Sequence, residues 1–103
     1  MNADSFQQLD KVIHEKNRMA IMSLLAASKE MSFTDIRESL KMTDGILITH
    51  IRTLQKAGYV AVSKSYKEKR PLTTCRLTAE GSDAFRGYVD LLEGIVQLAR
   101  KTN

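Results

Sequence analysis

The sequence predicts a mostly α-helical chain with one small β-hairpin and a long helix at its end. Three observations predict it. Apolar residues recur at helical spacing in four runs between residues 6 and 54. The apolar period then changes from 3.6 to 2 between Tyr59 and Leu77, and it turns helical again from Ala79 to about Arg100. The chain has 103 residues, 43% of them hydrophobic and 27% charged, as expected of one globular domain over residues 1–103. No apolar run approaches the ~18 residues of a membrane span. Asp4 and Asp10 near the start are unlike the basic-then-apolar order of a secretion signal, so a cytoplasmic location and no membrane partner are expected. Cys75 is alone, which excludes an intrachain disulfide. With only His14 and His50 beside it there is no Cys/His metal cluster, and neither a metal nor a cofactor is expected.

The elements follow in order. Phe6, Leu9, Val12 and Ile13 predict a short first helix. The pattern breaks at His14–Asn17, where Asn17 is a candidate cap for a second helix that buries Ile21, Leu24 and Leu25 and ends near Ala27. Ser28-Lys29-Glu30 reads as a loop. Ser32 with Asp35 resembles a capping box, and Phe33, Ile36 and Leu40 supply the stripe of a short helix. Lys41-Met42 is a tight break. Thr43 caps the next helix, Asp44 to Ala57, with Asp44 in the first turn and Lys56 in the last, both matched to the helix dipole. Leu47, Ile51 and Leu54 face the core, and Gly58 stops the helix. Two short helices joined by about three residues make a helix-turn-helix over about 33–57.

Residues 59–66 and 72–77 alternate and predict the hairpin, about 59–77, with a charged turn at Lys67–Pro71. Val60 and Val62 share a face of the first strand, and Thr73, Cys75 and Leu77 share a face of the second. Thr78 caps the last helix. There Phe85, Tyr88, Leu92, Ile95 and Ala99 follow the 3-4 spacing of a coiled-coil seam. The apolar sector is wider than one domain core covers, so these residues, with Phe6 and Leu9 from the first helix, are the candidate interface of a homodimer. Gly87 and Gly94, one heptad apart, suggest a close backbone approach on that side.

Charge is concentrated in the middle of the chain. Residues 41–78 carry eight basic groups against Asp44 and Glu68, whereas the segments on either side are each slightly acidic. Such clustering is what a nucleic-acid surface presents, and equally what a solvated basic face presents.

Specific fragments now combine: His14-Glu15-x-x-Arg18, Phe33-x-x-Ile36, Thr43-Asp44-Gly45-x-Leu47, His50-Ile51-Arg52-x-Leu54, Ala57-Gly58-Tyr59-Val60, Arg70-Pro71-x-Thr73 and Arg76-Leu77-Thr78-x-x-Gly81. In this order the chain resembles the winged helix-turn-helix transcriptional regulators of the MarR/ArsR-like kind, among them small stand-alone archaeal and bacterial members. The resemblance covers roughly residues 9–100. It implies a homodimeric regulator that binds double-stranded DNA with one reading helix per subunit and dimerises through the helix at about 79–100. Such proteins usually carry a proline where Lys16 stands, often a glycine at Glu68, and polar residues where this chain has Ile46, Ile48 and Thr49.

An α-helix fits the major groove, its first residues reaching base edges. The residues turned from the core, Thr43, Asp44, Gly45, Ile46, Ile48, Thr49, Arg52 and Lys56, are the candidate reading surface. Arg52 is suited to guanine, Thr49 to a base or phosphate, and Ile46 and Ile48 to thymine methyls. The bland reading of the two isoleucines is burial, for Ile46 above all. Lys64, Lys67, Lys69 and Arg70 on the hairpin are candidates for phosphate contact, with Arg70 able to enter the minor groove; Ser32 and Lys41 at the helix starts are weaker ones. His50 reads as a boundary-core residue and Cys75 as a small buried one, while Tyr59 and Tyr66 read as packing. The alternative function is a protein-interaction module that docks through an apolar patch at Ile46 and Ile48. An enzyme is not expected, because no catalytic residues are recognisable: paired carboxylates, a nucleophile with its base and a phosphate loop are all missing. Nothing in the sequence names an operator, the sign of regulation or a small-molecule effector.

Overall fold

A computed structural model describes residues 3–101, so the ends of the expected 1–103 unit, residues 1, 2, 102 and 103, lie outside the described residues. The elements run α1 (Ala3–Gln7), α2 (Lys16–Ala27), β1 (Met31–Ser32), α3 (Phe33–Leu40), α4 (Asp44–Lys56), β2 (Val60–Lys67), β3 (Arg70–Leu77) and α5 (Ala79–Lys101). The strands form an antiparallel sheet in the order β1-β3-β2. Ile13, Ile21, Met22, Leu25, Ile36, Leu47, Leu54 and Cys75 are fully buried where α2, α3 and α4 meet one face of the sheet.

The start of the chain departs from the expected helix over Phe6–Ile13. α1 ends at Gln7 because the Asp10 carboxylate captures the amides of Val12, at 2.8 Å, and Ile13, at 3.1 Å, in place of a helical carbonyl. The turn still buries Leu9 and Ile13. Glu15, not Asn17, caps α2, its side chain accepting from the Arg18 amide at 2.8 Å. The two-residue strand β1, expected only as chain leading into α3, exists because Met31 and Ser32 pair with Cys75 and Thr74.

The other Asp10 oxygen accepts from the Tyr59 hydroxyl at 2.5 Å, tying the first turn to the entry of β2. That bond, reinforced by partial burial and by the charges of Asp10 and Glu80, pushes the Tyr59 phenol up to about 12. A raised folded-state value means that the neutral phenol stabilises the fold below its unfolded value of ~10 and that this contribution disappears as pH rises toward about 12. Tyr59→Phe is expected to cost about 1 kcal/mol in urea denaturation at pH 7, with the difference from wild type closing between pH ~10 and 12.

Two glycines shape the corner between sheet and helices. Gly58 turns the chain out of α4 with φ 85°, in the left-handed region. Gly81 lies in the first turn of α5, where a Cβ would stand 2.0 Å from the Tyr59 carbonyl oxygen. At Gly87, by contrast, a Cβ would meet nothing within 4 Å, so the close approach inferred for that position is absent within the protomer.

The expected dimer seam is corrected in part. Tyr88 is buried in its own protomer, its hydroxyl 2.8 Å from His14 Nδ1 and 3.1 Å from Met19 Sδ, and Leu9 is buried in the same core. Both leave the interface set because the turn at residues 8–14 folds under α5. Phe85, Leu92 and Ile95 are half-buried against that core. The apolar side chains α5 leaves in solvent are Val89, Val96 and Leu98; Phe6 is also exposed, and Ala99 lies in the exposed last turns. The open face is thus centred on Val89, Leu92 and Val96, rotated from the expected one.

Candidate nucleic-acid interface

Local signals set the helix-turn-helix. Ser32 Oγ accepts from the Asp35 amide at 3.0 Å and Thr43 Oγ1 from the Ile46 amide at 3.2 Å, so both hydroxyls are helix caps first. Lys41 takes the left-handed conformation, φ 54°, closing α3. Across the turn the Arg37 guanidinium donates to the Asp44 carboxylate at 2.7 Å, and this bond raises the Arg37 pKa further above its ordinary value. Arg37 was not foreseen as part of the site. It matters because it covers the Asp44 charge at the start of α4. Its only sequence signal is the seven-residue spacing to Asp44, which means something only once the crossing of the two helices is known.

α4 buries Leu47, Ile51 and Leu54 and turns the other residues outward. Ile46 is 46% and Ile48 36% exposed, so neither is core, and burial of Ile46 is ruled out. Gly45 is open, with nothing within 4 Å of where a Cβ would be. Thr49 donates to the Gly45 carbonyl at 2.8 Å and so meets a ligand chiefly as an acceptor. On the inner side His50 fixes α4 to the start of α2: its Nε2 lies 3.3 Å from Asn17 Nδ2, and its Nδ1 lies 3.2 Å from the Arg18 guanidinium and 3.7 Å from Glu15. Burial acts to raise the Glu15 pKa. The Arg18 and Asn17 amides and the charges of His50 and Arg18 outweigh it, so the value is lowered. His50 is the boundary residue it was expected to be.

The ribbon of β2 and β3 is longer than expected and closes in two residues, Glu68 and Lys69, with φ 53° and 67°. Its register assigns faces. Val60, Val62, Lys64 and Tyr66 lie on the side shared by Leu77, Cys75, Thr73 and Pro71, while Lys67 and Arg70 lie opposite each other on the other side. The expected cations therefore divide between the two faces. Lys64 lines a groove of about 300 Å³ between α4 and the ribbon with Phe33, Ile48, Arg52 and Cys75. Arg52 and Lys64 make no hydrogen bond or ion pair among the described residues. Lys41, Lys56, Lys67, Lys69 and Arg70 are exposed, and Ser32 is half-buried. Burial pushes the Cys75 thiol up, which keeps it protonated at the groove floor. Tyr66 is not packing: it is 78% exposed.

Among the described residues no helix is long and apolar enough to cross a membrane, and no group of three or more His, Cys, Asp or Glu side chains is placed to hold a metal ion.

Comparison with known proteins agrees with this geometry. A transcriptional regulator homologue from Pyrococcus horikoshii OT3 superposes with a TM-score of 0.86 at 25% identity, covering 91% of this chain and 95% of that one. A protein assigned to the MarR family of transcriptional regulators, from Enterococcus faecalis V583, gives 0.80 at 20% identity over 99% and 93% of the two chains, a likeness of fold alone. In sequence, the uncharacterized protein MJ0432 of Methanocaldococcus jannaschii is 32% identical over 79 residues, 77% of this chain and 86% of the relative. The family model for the winged helix DNA-binding domain matches residues 17–96, a span that holds α3, α4, the ribbon and most of α5, and the chain belongs to that family.

Proposed function

We propose that this winged-helix DNA-binding regulator acts as a homodimer and recognises a particular duplex sequence. The observation that carries the reading is the groove shared by α4 and the ribbon, where Arg52 and Lys64 stand without a counter-charge among the described residues, beside an exposed Ile48. Arg52 is the residue for a bidentate guanine contact, Ile46 and Ile48 for thymine methyls, and Thr49 accepts from a base. Thr43, Asp44 and Gly45 form the entrance, Asp44 with its charge covered by Arg37. Lys56, Lys67, Lys69 and Arg70, with Ser32 and Lys41, contact phosphates, which position the protein without specifying sequence. The open Val89–Leu92–Val96 face supports pairing through α5, with Phe6, Phe85, Ile95 and Ala99 around it.

Selection of bound sequences from a random duplex pool tests all of this together. The expected product is a two-fold site with half-sites about 34 Å apart. Arg52→Ala should relax preference at one position by about 1–3 kcal/mol, whereas Arg70→Ala should weaken all sequences alike. An Arg52/Arg70 double variant that binds the selected site at full strength would sink the assignment.

The exposure of Ile46 favours a second reading, a protein-docking patch. A folded dimer that fails to shift random duplex even at low salt decides for it.

A further inference from the structure

The second half of α5 leaves the body of the protomer: Gly81 and Tyr88 are buried, and none of the described residues beyond Tyr88 is. On its open side Val89, Leu92 and Val96 line a shallow groove of about 540 Å³ together with Glu93, Gln97 and Arg100. The two edges of this face differ. Arg86, Glu93 and Arg100 recur every seven residues along one edge, so its charges alternate in sign. Leu91, Ile95 and Leu98 make the other edge apolar. Glu93 and Arg100 form no ion pair or hydrogen bond among the described residues, whereas Arg86 has Asp83 at 3.5 Å.

Symmetry decides how two such faces meet. In a parallel pair about a two-fold axis each edge lies against the opposite edge of the partner, which sets the charges on aliphatic side chains. In an antiparallel pair each edge lies against its own copy running backwards, so charge meets charge and apolar surface meets apolar surface. One axis serves both edges. Placed between residues 96 and 97, it brings Glu93 opposite the partner's Arg100 and Ile95 opposite the partner's Leu98. The other charge-matched register, Arg86 opposite the partner's Glu93, sets Leu98 against the partner's Gly81, which is buried against Tyr59.

We infer that this face takes the α5 of a second copy of the chain, antiparallel about a two-fold axis near Val96, with two reciprocal Glu93–Arg100 pairs fixing the register. The inference rests on the homodimer reading and adds to it the orientation of the pair and the charges that choose it. Rim pairs of this kind add little affinity, but they discriminate between partners, because a mismatched helix sets like charges together. A winged-helix chain without the same spacing of acid and base on its last helix is thereby refused.

Sedimentation of the full chain tests the pairing. Glu93→Arg and Arg100→Glu should each weaken self-association roughly tenfold, since each puts two like-charge contacts into the dimer. Mixed in equal amounts, the two variants should pair with each other at about wild-type strength. One copy then carries arginine at both positions and the other glutamate at both, so both contacts attract. A mixture no stronger than the variants alone overturns the register. Oxidative trapping gives a second measure: Val96→Cys should form a covalent dimer and Val89→Cys should not. At ~1.5 Å per residue the two copies of residue 89 stand about 22 Å apart along the helices, beyond the reach of a disulfide. Trapping of Val89→Cys in place of Val96→Cys overturns the proposal as well. Either failure in a protein that still dimerises leaves the homodimer reading standing, whereas a wild-type chain that stays monomeric overturns both.

Discussion

Raising monovalent salt from 50 to 200 mM is expected to weaken the complex with its duplex site by about 10³-fold. The magnitude comes from counterion release: each neutralised phosphate adds about 0.9 to the slope of log affinity against log salt, so six contacts shared by a dimer give a slope near −5. Six is a modest number here. Lys67, Lys69 and Arg70 alone supply three per protomer, all exposed and close to the ribbon turn. Replacing the three with alanine should remove most of the slope, leaving the share due to Lys41 and Lys56, with stability unchanged because none of the three is buried. Arg52→Ala should alter base preference far more than slope. Binding measured by fluorescence anisotropy over a salt series separates the cases, and an unchanged slope in the triple variant would remove the ribbon from the phosphate contacts.

Gly81→Ala should destabilise the protein by about 3 kcal/mol or more, the upper end of what one added methyl does in a packed site. The contact is with backbone, not with a side chain that can swing aside: the new Cβ would stand 2.0 Å from the Tyr59 carbonyl oxygen and 2.8 Å from both its carbon and its Cα. The corner has little room to relax. That carbonyl accepts from the Thr78 amide at 3.0 Å, the Thr78 hydroxyl donates to the Gly58 carbonyl at 2.6 Å, and the same hydroxyl oxygen accepts from the Gly81 amide at 2.9 Å. Moving α5 away would break the two bonds from Thr78 to the Tyr59 and Gly58 carbonyls and pull Tyr88 from His14. Gly87→Ala is the control on the same helix: with open space at the Cβ, it should stabilise the protomer by about 1 kcal/mol through helix propensity. Urea denaturation of both variants beside wild type gives the comparison, and a Gly81→Ala protein of wild-type stability would contradict the packing described.

Where sequence and structure agree, the signal is local. Ser32 and Thr43 announce their helices because a cap acts within three residues, and Leu47, Ile51 and Leu54 mark their face by spacing alone. Where they differ, the cause lies elsewhere in the chain. Asp10 breaks the expected first helix while also engaged by Tyr59, 49 residues away. Tyr88 follows the heptad spacing of a seam but is drawn inward by His14 and Met19. β1 owes its two residues to a partner strand. For the site, the cluster of cations was legible from charge counts. Their division between two ribbon faces was not, because Glu68 and Lys69 carry none of the glycine or asparagine signals of a two-residue turn, and so the register stayed hidden. The Arg37–Asp44 pair joins two helices and was equally out of reach.

The turn of the ribbon carries one more consequence. Glu68 and Lys69 both sit in the left-handed region without glycine's freedom, at about 1–2 kcal/mol each. The hairpin is therefore weakest at its outer end, and warming unzips it from there inward while the helical body stays whole. On the proposed duplex-binding reading, contact with the duplex would complete the ribbon's outer end, and slowed hydrogen exchange of its outermost amides is the expected gauge of occupancy.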